Sequence, residues 1–199
     1  MKISFIVEGK TERAFIPILR RFLQSRLPGK MPRLDPFPQD GRIPKGDKLR
    51  RVVANLLDGG ADAVVALTDV YTGTNDFEDG SDARTKMRGW VGCEPRFHPH
   101  AAQHDFEAWL LPYWPDIQKL AGHTRSRPPG SPESVNHNKP PSRYIEELFR
   151  IGTCRRDYVK ARDASRILEG EDLALAANEC SELKAMLNTV LSLCGGAQL

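Results

Sequence analysis

The chain has 199 residues, 40% hydrophobic and 28% charged, with a formal net charge of +3. That suits one compact domain with a real core, and a charge this mild does not by itself mark a nucleic-acid binder, because the footprint lies in clustering. The longest apolar stretches, such as residues 61–67, have strand length, so no membrane span is expected. Residues 1–7 lack the apolar run and cleavage site of a signal peptide, so the expected location is the cytoplasm. Cys93, Cys154, Cys180 and Cys194 are scattered, as reduced thiols are, rather than spaced as a disulfide frame or zinc ribbon.

Residues 3–7 are an apolar, β-favouring run without clean alternation, which predicts a strand buried on both faces. It ends at Glu8-Gly9-Lys10, a turn. Thr11 reads as an N-cap with Glu12 in the first turn of a helix whose stripe is Phe15, Ile18, Leu19, Phe22 and Leu23. Pro17 inside it predicts a kink or a late start. Residues 33–38 read as a short strand broken by prolines. Gly46-Asp47 opens a second helix with Leu49, Val52, Val53, Leu56 and Leu57 on its buried face, and Gly59-Gly60 ends it. Residues 61–68 form the next buried strand, with Asp69 at its C-terminal end. Residues 71–80 read as a polar loop, 82–90 as a helix and 97–102 as a strand. A further helix opens at Asp105 and stops near Pro112 or Pro115. From 122 to 141 proline, serine, glycine and histidine dominate, which predicts a mobile loop or linker. Residues 142–193 are helical by pattern. Alternating strands and helices predict an α/β fold with a mostly parallel sheet.

In such sheets, sites form outside the C-terminal ends of the strands. Glu8, Asp69 and Glu107 each follow a strand, so three acids can converge on one point. Hard cations such as Mg²⁺ take carboxylate oxygens together with water and substrate phosphate. Each acid also has a plain structural role, as a turn residue, a cap or a complement to a helix dipole. It is the joint placement that points to a site. His98 and His100 share one strand face and His104 lies three residues before Glu107, an arrangement open to a transition metal or to ordinary strand and loop histidines. Lys10 heads the first helix, where phosphate is favoured, but the glycine loop of a nucleotide-binding P-loop is missing. Lys160, with Arg155, Arg156 and Tyr158, can grip a phosphate or line a solvated helix. Trp90, Trp109 and Trp114 are candidates for base stacking, Trp109 within an apolar helix suited to the core.

Phe5-Ile6-Val7-Glu8-Gly9-Lys10-Thr11-Glu12 resembles the first motif of Toprim domains. It is most similar to the Val-Glu-Gly-x-Thr-Glu version of an uncharacterised Toprim-related family, akin to the Toprim domains of the overcoming-lysogenisation-defect (OLD) nucleases. Leu67-Thr68-Asp69-Val70-Tyr71 resembles the second motif, usually Asp-x-Asp. His104-Asp105-Phe106-Glu107-Ala108-Trp109-Leu110-Leu111 and Tyr158-Val159-Lys160 resemble later segments of the same family.

The resemblance implies a Toprim-like mostly parallel sheet flanked by helices, with a core at 1–121, a loop or linker at 122–141 and a helical C-terminal extension at 142–199 packed on the core as a single globular unit. It implies a Mg²⁺- or Mn²⁺-dependent phosphodiester-cleaving, nuclease-type protein acting on DNA or RNA, in bacterial genome or phage defence or nucleic acid processing, with an ATPase partner protein. Glu8 is expected as general base or metal ligand, Asp69 and Glu107 as metal ligands, and Lys10, His104 and Lys160 as groups stabilising charge on the phosphate. One departure stands out. The second acid of Asp-x-Asp is Tyr71, whose neutral phenol is no carboxylate substitute for a hard cation. Either Glu107 completes the set, or Asp76, Glu78 or Asp79 enters from the loop. Otherwise the chain is a non-catalytic binding or regulatory partner of an ATPase. The residues leave DNA against RNA, endonuclease against exonuclease, and oligomeric state open.

Overall fold

The computed structural model describes residues 1–71, 76–135 and 139–199. Four strands form one sheet in the order β2-β1-β3-β4, all parallel. They are β1 (Lys2–Val7), β2 (Arg33–Pro38), β3 (Ala63–Asp69) and β4 (Phe97–Ala102). The linking helices are α1 (Lys10–Gln24), α2 (Asp47–Asp58) and α3 (Gly80–Val91). This is the α/β architecture expected from the alternation of elements. No described helix is long and apolar enough to cross a membrane.

The central strands β1 and β3 lack polar alternation because both their faces are covered. Ile3, Phe5, Val7, Val65, Leu67 and Ala102 face a large core with α1 and the C-terminal helices. Ile6, Val64, Ala66, Phe97 and Ala101 face a smaller one with α2 and α3. The register sets Val7 opposite Leu67 and Asp69 opposite Ala102, so β1, β3 and β4 end at nearly one level.

β2 keeps its place despite Pro36 and Pro38 because it is an edge strand. Arg33 and Gln39 donate to Met1 and Val7 of the β1 segment, each at 2.9 Å. The two prolines alternate with those donors, so the N–H groups they lack would have pointed away from the sheet. On the opposite edge, α3 and α8 (Ser181–Leu193) pack on opposite faces of β4. The Arg84–Glu182 ion pair joins them around its outer side. Gly80 lacks the Cβ that would lie 2.9 Å from the Glu182 carboxyl carbon.

Local details differ from the sequence-based expectation. The α1 cap is Gly9, not Thr11, which is buried at the second helical position. The Glu12 carboxylate supplies the capping bond, accepting from the Gly9 N–H at 2.9 Å. The expected late start is absent, and the helix spans Pro17. Residues Phe106–Tyr113 wind as a 3-10 helix, long for its type. Pro112 and Pro115 withhold the donors an α-ladder would need there. Pro115 then sits in the first turn of α4 (Trp114–Ala121), where a missing N–H costs nothing.

Of the 122–141 stretch, the described residues 122–135 and 139–140 are irregular apart from one 3-10 turn, Pro132–Ser134. Its described part is held by Glu133, which accepts from Trp109 Nε1 at 3.3 Å, Ser181 Oγ at 2.9 Å and the Glu182 N–H at 3.0 Å. Trp114 Nε1 donates to the Arg125 carbonyl at 2.8 Å. Both indoles are therefore core groups and do not face a base. α5 (Pro141–Ile151), α6 (Lys160–Ile167) and α7 (Leu173–Glu179) complete the larger core with α8.

Gly152 ends α5 directly against α4. A Cβ there would lie 1.9 Å from the Ala121 carbonyl oxygen, with no flexible neighbour to yield. Gly152→Ala should destabilise the protein by about 1–3 kcal/mol or more, measured by chemical denaturation. Gly29→Ala, where a Cβ meets nothing within 4 Å, should be near neutral.

Candidate functional site

Alternation puts Asp69 on the same sheet face as Val65 and Leu67, the face α1 covers. Glu8 leaves β1 beside it. Its Oε1 accepts from Thr68 Oγ1 at 2.5 Å and from the Asp69 N–H at 3.1 Å. Tyr71 stands where the motif would place a second acid, and its hydroxyl donates to Glu8 Oε2 at 2.7 Å. Glu12, fixed by its bond to Gly9, comes in from α1.

After β4 the chain turns at His104, whose φ of 70° is left-handed and costs a non-glycine residue about 1–2 kcal/mol. That turn delivers Asp105 and Glu107. Asp105 Oδ2 accepts from the Ser142 N–H at 3.2 Å, while its Oδ1 is buried with no partner among the described residues. Glu107 is 1% exposed. Its Oε2 accepts from Lys160 Nζ at 3.1 Å and its Oε1 faces the Tyr158 hydroxyl at 3.4 Å.

The structure thus brings Glu8, Asp69, Glu107 and Lys160 to one end of the sheet, and adds Glu12 and Asp105. These two were not singled out from the sequence. Their signal was spacing: Glu12 lies four residues after Glu8 across a helix start, and Asp105 two before Glu107. Lys10 is exposed at the head of α1 and forms no ion pair with the cluster among the described residues. His104 is half-buried. Burial lowers its pKa against the pull of Asp105 and Glu133. His98 and His100 share the face of β4 that turns to α8, with His98 beside Asn188 and Thr189. Burial holds His100 neutral, down to about 3.

Burial pushes the Glu8 carboxyl up, less so because Thr68, Tyr71 and the Asp69 N–H donate to it. Burial drives Asp69 well above its ordinary range, and Glu12, Glu8, Asp105 and Glu107 push in the same direction, in that order. Asp105 is raised by burial against the hydrogen bond from Ser142 and the charge of Lys160. Burial and Asp105 push Glu107 up to about 7, against Lys160. The Lys160 ammonium is raised because Glu107, Asp105 and Asp69 outweigh the penalty of burial.

The segment that presents Lys160 is pinned by Asp163. That buried acid accepts from Arg156 at 2.7 and 3.1 Å, from Arg162 at 3.0 Å and from the Val159 N–H at 2.8 Å. Burial raises Asp163, but these donors hold it down at about 2. Arg156 also stacks over Phe149 at 4.7 Å, so it is engaged in internal contacts. Two of the three loop acids are engaged elsewhere. Asp76 pairs with Arg42 and Lys45, Asp79 caps α3 by accepting from the Asp82 N–H at 2.8 Å, and Glu78 is exposed. A groove of about 750 Å³ lined by Arg84, Arg88, Cys93 and Pro99 opens near the start of β4, away from the acids.

Among the described residues no three acids, imidazoles or thiols stand close enough to cage one ion. A hydrated Mg²⁺ does not need such a cage, since it is held by one or two carboxylates and keeps several waters. The all-oxygen donor set and the unpartnered Asp105 Oδ1 fit a hard cation.

Residues 7–191 match the family described as Domain of unknown function (DUF4276). The chain belongs to that family. No curated protein matches it. Two solved structures are similar. One is the C-terminal region of the Burkholderia pseudomallei OLD protein, with TM-score 0.54 and 14% identity over 96% of this chain and 98% of that one. The other is the C-terminal region of the Xanthomonas campestris pv. campestris OLD protein, with TM-score 0.50 and 12% identity over 97% of this chain and 96% of that one. At such identities the likeness is one of fold. It spans the helical extension as well as the sheet of this DUF4276 protein.

Raised carboxyl pKa values make the folded protein bind protons that the unfolded chain releases. Stability from Glu107 is therefore full below about 4.5 and is lost as pH rises through about 7. Without divalent cations, the protein should lose about 1–3 kcal/mol between pH 5.5 and 8. Glu107→Gln should flatten that decline in thermal melts taken across the range.

Proposed function

We propose that this DUF4276 protein is a Toprim-like, Mg²⁺- or Mn²⁺-dependent enzyme that cleaves nucleic acid phosphodiesters. The observation that carries this reading is the group of five buried acids, Glu8, Glu12, Asp69, Asp105 and Glu107, with Lys160 as the ammonium in contact with it. Buried carboxylates without matching cations are costly, and a hard cation with a phosphate is the partner that their chemistry fits. Glu8 and Asp69 would hold the cation, with Glu12, Asp105 and Glu107 near enough to add to the negative potential there. When bound, a divalent cation supplies charge neutralisation at the phosphoryl oxygens and lowers the pKa of water.

The residues of the chain then divide the work. Glu8, raised in pKa and oriented by Thr68 and Tyr71, would accept a proton from an attacking water. Lys160, kept charged by Glu107 and Asp105, would stabilise negative charge on the phosphate or donate a proton to the leaving oxygen. The OLD-like fold supports a nucleic-acid setting, with an ATPase partner and a role in phage defence as further parts of the proposal.

A second reading has its own observation. Tyr71 occupies the second acid position and ties up one Glu8 oxygen. This favours a Toprim-like protein that binds nucleic acid or an ATPase partner without cutting.

Labelled single- and double-stranded DNA and RNA, incubated with Mg²⁺ or Mn²⁺ against chelator, separate the two readings. Cleavage should require metal and fall by about 10²-fold or more in Glu8→Gln, Asp69→Asn and Lys160→Ala. No cleavage by folded wild type, with binding retained, would favour the second reading. Independently, Mg²⁺ should raise the melting temperature more at pH 8 than at pH 5.5, because it competes with protons for the same oxygens. Asp69→Asn should lose most of that shift.

A further inference from the structure

The loop after β2 carries cations to the rim of the carboxylate cluster. Its backbone is tied to the strand exit, with the Gly41 N–H donating to the Glu8 carbonyl at 2.9 Å. The Arg42 guanidinium lies 5.2 Å from the centre of the Tyr71 ring, and the Tyr71 hydroxyl donates to Glu8. Arg42 and Lys45 are both about half-exposed, and both close on Asp76. Arg42 takes one carboxylate oxygen, Oδ2, and Lys45 the other, Oδ1.

Resting on the nucleic-acid reading above, we propose that Arg42 and Lys45 form a subsite for one backbone phosphate of the substrate, and that Asp76 stands in for that phosphate in the free protein. A carboxylate gripped through both oxygens by a guanidinium and an ammonium has the shape of a phosphodiester held through its two non-bridging oxygens. The pairs are exposed enough for exchange to be cheap, since such surface pairs are weakly held. The subsite also answers an electrostatic need. Buried acids repel a polyanion, so the backbone requires a cationic hold beside them. Through the Tyr71 ring, an occupied subsite would sit one residue away from Glu8.

The test is binding of a labelled DNA duplex and a labelled single-stranded RNA by the full chain, across a KCl series. Ca²⁺ is present in place of Mg²⁺ so that the acids are neutralised without turnover. Arg42→Ala/Lys45→Ala should bind roughly ten-fold more weakly. Its slope of log affinity on log salt should fall by one phosphate contact, about 0.9 on the duplex or about 0.7 on the single strand. The arm that shows the loss identifies the backbone recognised. Asp76→Asn, relieved of its competing charge, should bind about two- to ten-fold tighter. Wild-type affinity and slope in the double variant, or no tightening in Asp76→Asn, would overturn the subsite while leaving the nucleic-acid reading intact. Failure of wild type to bind either probe would overturn both.

Discussion

Five carboxylates are withdrawn from water at one end of the sheet, and the Lys160 ammonium touches one of them, Glu107. Desolvating an ionised acid costs several kcal/mol unless partners replace its water. Left alone, the cluster must hold protons, which is why burial raises Glu8, Asp69, Asp105 and Glu107 together. The strand exits, the left-handed turn at His104 and the capping bond of Glu12 all bring acids to this end of the sheet. A sequence that wanted only stability would place amides or apolar groups there.

Asp163 shows how this protein treats a buried acid whose role is structural. Its side chain is likewise closed off from solvent, yet two arginines and a backbone N–H surround it and hold it ionised. The contrast lies within one chain, a short distance along the same segment that carries Lys160. Paired Asp163 is a fixing pin, while Glu8 and Asp105 accept hydrogen bonds from neutral donors alone and Glu107 meets the single ammonium of Lys160. The C-terminal helices are part of this arrangement, because they deliver Tyr158 and Lys160 to Glu107 and Ser142 to Asp105.

Most of the sheet was legible because buried parallel strands announce themselves as apolar runs, and their ends fell at Glu8 and Asp69 as periodicity required. The 3-10 segment was harder. Its apolar composition reads as a helix, and only the pair Pro112 and Pro115 signals that an α-ladder cannot form. Thr11 was misread as a cap because hydroxyl residues favour that position, whereas here an acid three residues after Gly9 closes the turn. Glu12 and Asp105 escaped notice for a related reason. An acid in a first helical turn, or beside a strand end, has an ordinary explanation, and only tertiary packing shows that both are buried against Asp69. The internal commitments of Arg156 and Glu133 depend on contacts distant in sequence or on burial that no local pattern encodes.

Both borders of the sheet are closed by different means. On β2 the positions that would offer outward donors include two prolines, and on β4 the α3–α8 ion pair reaches around the strand. A partner polypeptide therefore finds little free ladder to extend. Any partner must meet the molecule through side-chain surfaces and loops. The same closure keeps a short sheet with an acid-rich end from pairing, strand to strand, with that of a second copy.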